Sequence, residues 1–205
     1  MVDRRAFIQS SFALPAAVSG LAFSPGGAAA TERFRTLALE RFVYDARFAE
    51  GFDVAQHVGK LGVELSPISD DLMTLWYDDL DLRWKEAPMA LGGVTLAEAL
   101  FVLETLAADR QMRVVYRGEH APAEDGMIRH KLAGPRALVE GLAAQPPEAD
   151  WEAALARAVT ACPLGEPETA EAELVTAAPA IVLRDETIYS WIIAPRSTVR
   201  LKNGV

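Results

Sequence analysis

Cysteine is almost missing from this chain. Cys162 is the single one in 205 residues, so no intrachain disulfide can form, even in an oxidising compartment. The same scarcity excludes a self-supplied four-cysteine iron-sulfur site and a C-x-x-C-H haem attachment. Cys162 stands in Thr160-Ala161-Cys162-Pro163, at the expected end of a helix, which suits a small buried apolar side chain. Histidine is nearly as scarce. His57, His120 and His130 show no H-x-x-x-H or H-E-x-x-H spacing, so a local metal motif is lacking. No G-x-G-x-x-G fingerprint, P-loop lysine or G-x-S-x-G elbow occurs, and neither Ser66 nor Ser69 has a nucleophile's context; no cofactor is evident. Positive charge is also short, with 20 Lys and Arg against 29 Asp and Glu and a net charge of −9. That balance speaks against nucleic acid or an anionic lipid surface as a partner, since binding either needs a basic patch to release counterions.

What is present reads as alternating elements. Arg41-Phe42-Val43-Tyr44-Asp45 is a short run of bulky strand formers, and residues 47–61 place Phe48, Phe52, Ala55, Val58 and Leu61 at helical spacing, stopped by Gly62. Val63-Glu64-Leu65 predicts a second strand. From Asp70 to Lys85, Leu72, Leu75, Trp76, Leu80 and Trp84 recur every three or four residues, an amphipathic helix with Asp78, Asp79 and Asp81 mostly on its other side. Met89-Ala90-Leu91 predicts a short strand; after Gly92-Gly93, Thr95 and Glu98 spell a capping box for a helix over 95–108. Arg113 to Arg117 predicts the next strand, and Met127 to Leu132 one more, antiparallel after the turn from Pro122 to Gly126. Two Ala-rich helices follow over 135–144 and 150–161; 163–179 reads as a surface loop, and Ala180 to Leu183 and Thr187 to Ala194 as strands around a hairpin tip at Asp185-Glu186. The fold class expected is α/β: a two-layer or three-layer sandwich with a mixed, mainly parallel sheet and flanking helices. Residues 31–205 have the length of one domain.

Three places carry candidate chemistry. Asp45 and Asp70 follow the first and second strands, where an open α/β sheet presents its carboxyl edge to ligands, so the pair can serve as acid and base or hold a cation. The plainer reading makes Asp70 or Asp71 the N-cap of the helix that follows. Gly92 and Gly93, directly before a helix, can offer backbone amides to an anion; a tight turn that needs glycine is the alternative. His120, placed on a sheet-end loop near Asp45, permits a carboxylate-oriented imidazole, against an exposed turn histidine. The apolar run Ile188 to Ile193 suits a partner interface or an edge pairing if one of its faces is left uncovered.

The N-terminus carries an address. In Asp3-Arg4-Arg5-Ala6-Phe7-Ile8-Gln9, the residues Arg4, Arg5, Phe7 and Ile8 match the motif of twin-arginine (Tat) signal peptides, with Asp3 where Ser or Thr is usual and Gln9 where Lys is common. Residues 1–30 thus resemble a twin-arginine signal peptide. The stretch from Ser11 to Phe23, broken by Pro15 and Gly20, falls short of the ~20 apolar residues of a spanning helix, and Ala28 and Ala30 satisfy the small-x-small rule for cleavage. The resemblance implies recognition by the Tat translocase, transport of a folded protein into the periplasm, and no membrane anchor after cleavage. Because that route typically serves proteins that load a cofactor or assemble before transport, the leading expectation is an accessory subunit of a cofactor-containing periplasmic oxidoreductase, itself not an enzyme. The alternative is a free-standing α/β enzyme or small-molecule-binding protein using Asp45, Asp70 and His120.

Overall fold

In the computed structural model the described residues are 36–69, 72–163, 165, 168–177 and 186–196. The expected signal segment, Asp70 and Asp71, and the expected strand over 180–183 lie outside them.

The chain opens with strand β1 (Leu39–Asp45), helix α1 (Ala49–Lys60) and strand β2 (Glu64–Ile68). Leu72–Leu75 (α2), a π-helical turn over Trp76–Leu80 and Asp81–Glu86 (α3) follow one another without a break. Trp76, Leu80 and Trp84 are all buried at four-residue steps. An α-helix of 3.6 residues per turn lets such a row drift off the core face, and the wider π turn corrects the drift. Strand β3 (Ala90–Thr95), helix α4 (Ala97–Ala108), strands β4 (Met112–Pro122) and β5 (Met127–Pro135), helices α5 (Arg136–Ala143) and α6 (Trp151–Thr160), and strands β6 (Thr169–Ala177) and β7 (Ile188–Pro195) complete the order.

The seven strands form one mixed sheet in the order β2-β1-β3-β7-β4-β5-β6. β1 pairs in parallel with β2 and β3, and the other four pairings are antiparallel. By its pairings the sheet is therefore not mainly parallel: crossover helices join β1 to β2, β2 to β3 and, across the intervening β7, β3 to β4, whereas β4 to β5 is a hairpin whose geometry forces antiparallel pairing. Successive strand residues point to opposite faces, and the core divides accordingly. Phe42, Tyr44, Val94, Tyr116 and Ile192 pack with α1, α5 and α6. Val43, Leu91, Met112, Trp191 and Ile193 pack with the π turn, α3 and α4. The second set of helices does not reach the outer strands. There Glu119, Lys131 and Glu173 face solvent, with Lys131 Nζ 3.7 Å from Glu119 and Arg129 Nε 3.5 Å from Glu173, a polar outer face of the kind antiparallel sheets tolerate.

Two expectations for the C-terminal third are corrected. The expected loop over 163–179 contains β6, which pairs along its whole length with β5. Ala170, Ala172 and Leu174 pack toward α5 while Glu171, Glu173 and Val175 alternate outward; this two-residue period is masked by residues of low strand propensity, and packing overrides propensity. β7 is not an edge or an interface strand. It lies between β3 and β4, antiparallel to both, and Ser190 to Ala194 are buried, which explains a run that is apolar on both faces but for Ser190, where a half-buried strand would alternate.

Candidate functional site

The expectations for β3 and its surroundings change first. Gly92 and Gly93 lie inside β3, paired with Phe42 and Val43 on one side and with Ile192 and Trp191 on the other. They do not stand in a loop at a helix N-terminus, and the anion reading loses its basis because their strand is laddered on both edges. Glycine is required at 93 by close approach: an added Cβ would clash with the Trp191 ring and sit 2.6 Å from the Val43 carbonyl oxygen. The capping box at Thr95 does not form either. Helix α4 begins at Ala97 with no side-chain cap, and the buried Thr95 hydroxyl accepts a hydrogen bond from Trp191 Nε1 at 3.0 Å and donates to the Leu96 carbonyl.

Asp45 ends β1 as expected, at the carboxyl edge, but its carboxylate is committed. Oδ1 accepts from Arg47 Nε at 2.9 Å and from the Arg47 backbone N–H at 3.1 Å, and Oδ2 accepts from Arg47 Nη2 at 2.7 Å. This two-pronged ion pair ties off the turn into α1 and leaves no free carboxylate for acid-base work. The pair lines an open cleft of about 400 Å³ with Ile68, Leu72, Met73 and Leu96, on the α4 side of the sheet.

His120 lies elsewhere. It is inside β4 rather than on a loop, its side chain turned to the opposite face, the α6 side. Two strands, β3 and β7, separate β4 from β1, so at ~4.8 Å per strand Asp45 and His120 are about 14 Å apart and cannot act on one atom. The structure pairs His120 instead with His130, its direct cross-strand partner on β5. Their Nδ1 atoms are 2.7 Å apart, His120 Nε2 is 2.7 Å from Ser190 Oγ, and His130 Nε2 is 2.8 Å from Thr176 Oγ1. Tyr116 Oη extends the chain to Ser190 Oγ at 3.2 Å. Five side chains from four adjacent strands thus form one hydrogen-bonded row. Gly118 makes room for it, since a Cβ there would press on Ser190 Oγ and lie 2.7 Å from Tyr116 Oη.

The row has a definite protonation logic. His120 and His130 are 6% and 1% exposed. Burial pushes His120 well below the usual imidazole value, with His130 as the second cause, and burial takes His130 down to about 4. Both rings are neutral near pH 7, so one of them carries its proton on Nδ1 and donates it to the other, and the second carries its proton on Nε2. Either tautomer arrangement occupies all four ring nitrogens, with the Ser190 and Thr176 hydroxyls adapting as donor or acceptor. Burial also raises the Tyr116 phenol, which stays protonated.

The two rings form part of the wall of a small pocket. Trp151, the first residue of α6, lies over His130 with ring centroids 4.0 Å apart and 6.0 Å from His120. Val54 of α1, Val94 of β3, Leu155 of α6 and Ile188 of β7 supply apolar wall, and Glu50, Glu152 and Glu186 stand among the lining residues. The enclosed volume is about 40 Å³, where one water needs at least about 10–15 Å³. Glu152 is held above the usual carboxylate value, first by burial and then by Asp150, Asp53 and Glu50.

The Ser190–His120–His130 order has the spacing of a nucleophile, its base and an orienting group. Ser190, however, is 1% exposed and does not line the pocket, so its hydroxyl holds the imidazole in place and reaches no substrate. No cluster of three or more His, Cys, Asp or Glu suited to a metal ion occurs among the described residues. Cys162 is buried just after α6, as expected. The pairing of His130 with His120 has its signal in the turn between them: the two are equidistant from Asp125, so an antiparallel hairpin centred there sets them face to face. No protein-family model, curated protein or solved structure matches this chain.

Proposed function

We propose that the protein is an exported binding protein for a small, largely apolar molecule, with the pocket between β4, β5, α1 and α6 as its site. The observation that carries this reading is the wall of that pocket. Two neutral imidazoles, each with both nitrogens satisfied, lie under Trp151 and beside apolar side chains at a recess that opens past partly exposed glutamates. Ligand pockets combine mostly apolar walls with a few fixed polar groups. With no ring nitrogen free and no accessible nucleophile beside the histidines among the described residues, the arrangement favours binding over turnover. Export to the periplasm rests on the resemblance of residues 1–30, through Arg4, Arg5, Phe7 and Ile8, to a twin-arginine signal.

Native mass spectrometry of protein recovered from the periplasm of its host tests the reading. A bound small molecule is expected, absent from an Ile128→Trp variant in which the half-buried Ile128 at the pocket is enlarged while circular dichroism stays unchanged. Ligand-free protein that also gives no hit in a fragment screen at the pocket overturns it.

One observation favours a second reading, an accessory subunit of a cofactor-containing periplasmic oxidoreductase. Tyr77, Leu82 and Phe101, at 66%, 57% and 70%, are the most exposed large apolar side chains among the described residues; all three are on the helices of the α4 side, away from the pocket, and exposed apolar side chains of this size suit a partner surface. A stable monomer that brings down no redox enzyme from its own host removes this reading.

A further inference from the structure

We propose that the ligand of this pocket is a small organic cation, an amine with a short apolar body, the body lying against Trp151 and the ammonium group held among Glu50, Glu152 and Glu186. The inference rests on the binding reading above and adds the sign of the ligand's charge.

The pocket lies at the first turns of two helices. Phe48 and Glu50 begin α1, and Trp151 and Glu152 begin α6. Bare helix N-termini would draw an anion. Here each is already answered by acids: Glu50 lies in the first turn of α1, and Asp150 caps α6 by accepting the Ala153 N–H at 2.8 Å, with Glu152 beside it. A carboxylate that did no more than balance a helix dipole would be held low. Glu152 is instead held above the usual carboxylate value, first by burial and further by Asp150, Asp53 and Glu50, and Glu186, which belongs to neither helix, adds a third carboxylate to the pocket lining.

No lysine or arginine lines the pocket among the described residues. Arg47, next to Phe48, is engaged by Asp45, and His57 Nε2 lies 3.9 Å from Asp150. The histidines of the wall are neutral. The electrostatic demand at the mouth is therefore for an incoming cation, whose approach relieves repulsion among carboxylates and gains charge-assisted hydrogen bonds. The inner recess makes the opposite demand. At about 40 Å³, between Trp151, Val94, Leu155 and Ile188 and with every buried side-chain polar atom of the described residues already partnered, it accepts a few carbon atoms and offers nothing to a buried polar group. A short alkylammonium meets both demands, whereas a carboxylic acid of the same size is repelled and an alcohol is indifferent to the rim.

Three isosteric probes separate the charge inference from the binding reading: n-butylammonium, n-butanol and butyrate, titrated into the full chain near pH 7.5 and read by the methyl signals of Val54, Val94 and Ile188. The expected order is butylammonium first, butanol at least about tenfold weaker and butyrate without effect. Glu152→Gln is expected to weaken butylammonium by about tenfold while leaving butanol unchanged, and the second variant, Glu50→Gln, to act in the same direction. Butanol binding as well as butylammonium, or butyrate binding better, overturns the cation and leaves the pocket standing. Silence of those methyl signals toward all three probes overturns the pocket reading and the cation with it.

Discussion

His120 and His130 are held in the sheet as bases that folding has denied their proton. In an unfolded chain both titrate near pH 6.5; in the native row burial lowers both, His130 to about 4. A depressed native pKa means that the unfolded state takes up protons first as pH falls, so this contribution to stability is complete above about pH 6.5 and drains away toward pH 4. The two rings share a proton and titrate as a pair. For His130 alone the loss is of the order of 3 kcal/mol. Urea unfolding measured from pH 7 to pH 4 should show that decline, and His130→Gln, which keeps a hydrogen-bonding side chain but does not titrate, should flatten it. Parallel curves for the two proteins would show that the pair is not its source. Asp81 acts in a lower window: its hydrogen bonds from Lys85 and then from Arg110 hold its carboxyl below 3.8.

Among the elements, the joint between β1 and the helix α2 to α3 depends on a buried cation. Arg41 is 8% exposed. Its guanidinium donates to Glu64 of β2 at 2.7 Å and to Asp79 of the π turn, and Asp79 also pairs with Arg83, which reaches Glu40 at 2.7 Å. Removing one side of a buried pair strands the other charge, at about 3–5 kcal/mol, whereas replacing both with apolar groups is often near neutral. Since Glu64 remains, Asp79→Ala should lower stability by about 2–4 kcal/mol, and the double variant Arg41→Met with Asp79→Leu should recover most of it. Chemical denaturation of the three proteins decides the matter; a double variant as unstable as Asp79→Ala would assign the effect to packing. The helix itself was legible from Leu72, Leu75, Trp76, Leu80 and Trp84, whose spacing names a buried face. The π turn was not, because periodicity tolerates the small shift that turn introduces. Asp79 and Asp81 looked like residues of a solvated face, and long-range arginines from β1 and from the end of α4 half-bury them.

For the whole molecule the decisive piece is the last strand. β7 joins β2-β1-β3 to β4-β5-β6, so without it the sheet is two three-stranded halves, each exposing the edge that β7 covered. The pairings of β7 with β3 and β4 join segments far apart in sequence, and such contacts form late and slow folding. A chain stopped after Ala177 should therefore lack a cooperative thermal transition and the native near-ultraviolet signal of Trp76 and Trp84, buried in the core to which Trp191 and Ile193 belong. A truncated protein that still melts sharply near the full-length midpoint would mean that the halves fold independently of β7.

What the sequence by itself determined is local. The apolar spacing marked α1, α4, α5 and α6, the bulky runs marked β1 and β4, and the turn before Met127 set an antiparallel hairpin whose register already places His120 opposite His130. Only the tertiary structure decided which strands meet. It put β7 in the middle of the sheet, turned the Ala- and Glu-rich segment into β6, drew the Thr95 hydroxyl to Trp191 and away from capping α4, and set Asp45 and His120 on opposite faces. Periodicity reports how each segment divides itself between core and solvent. It carries no label for the partner that covers the buried side, and in a mixed sheet that partner is often far away along the chain.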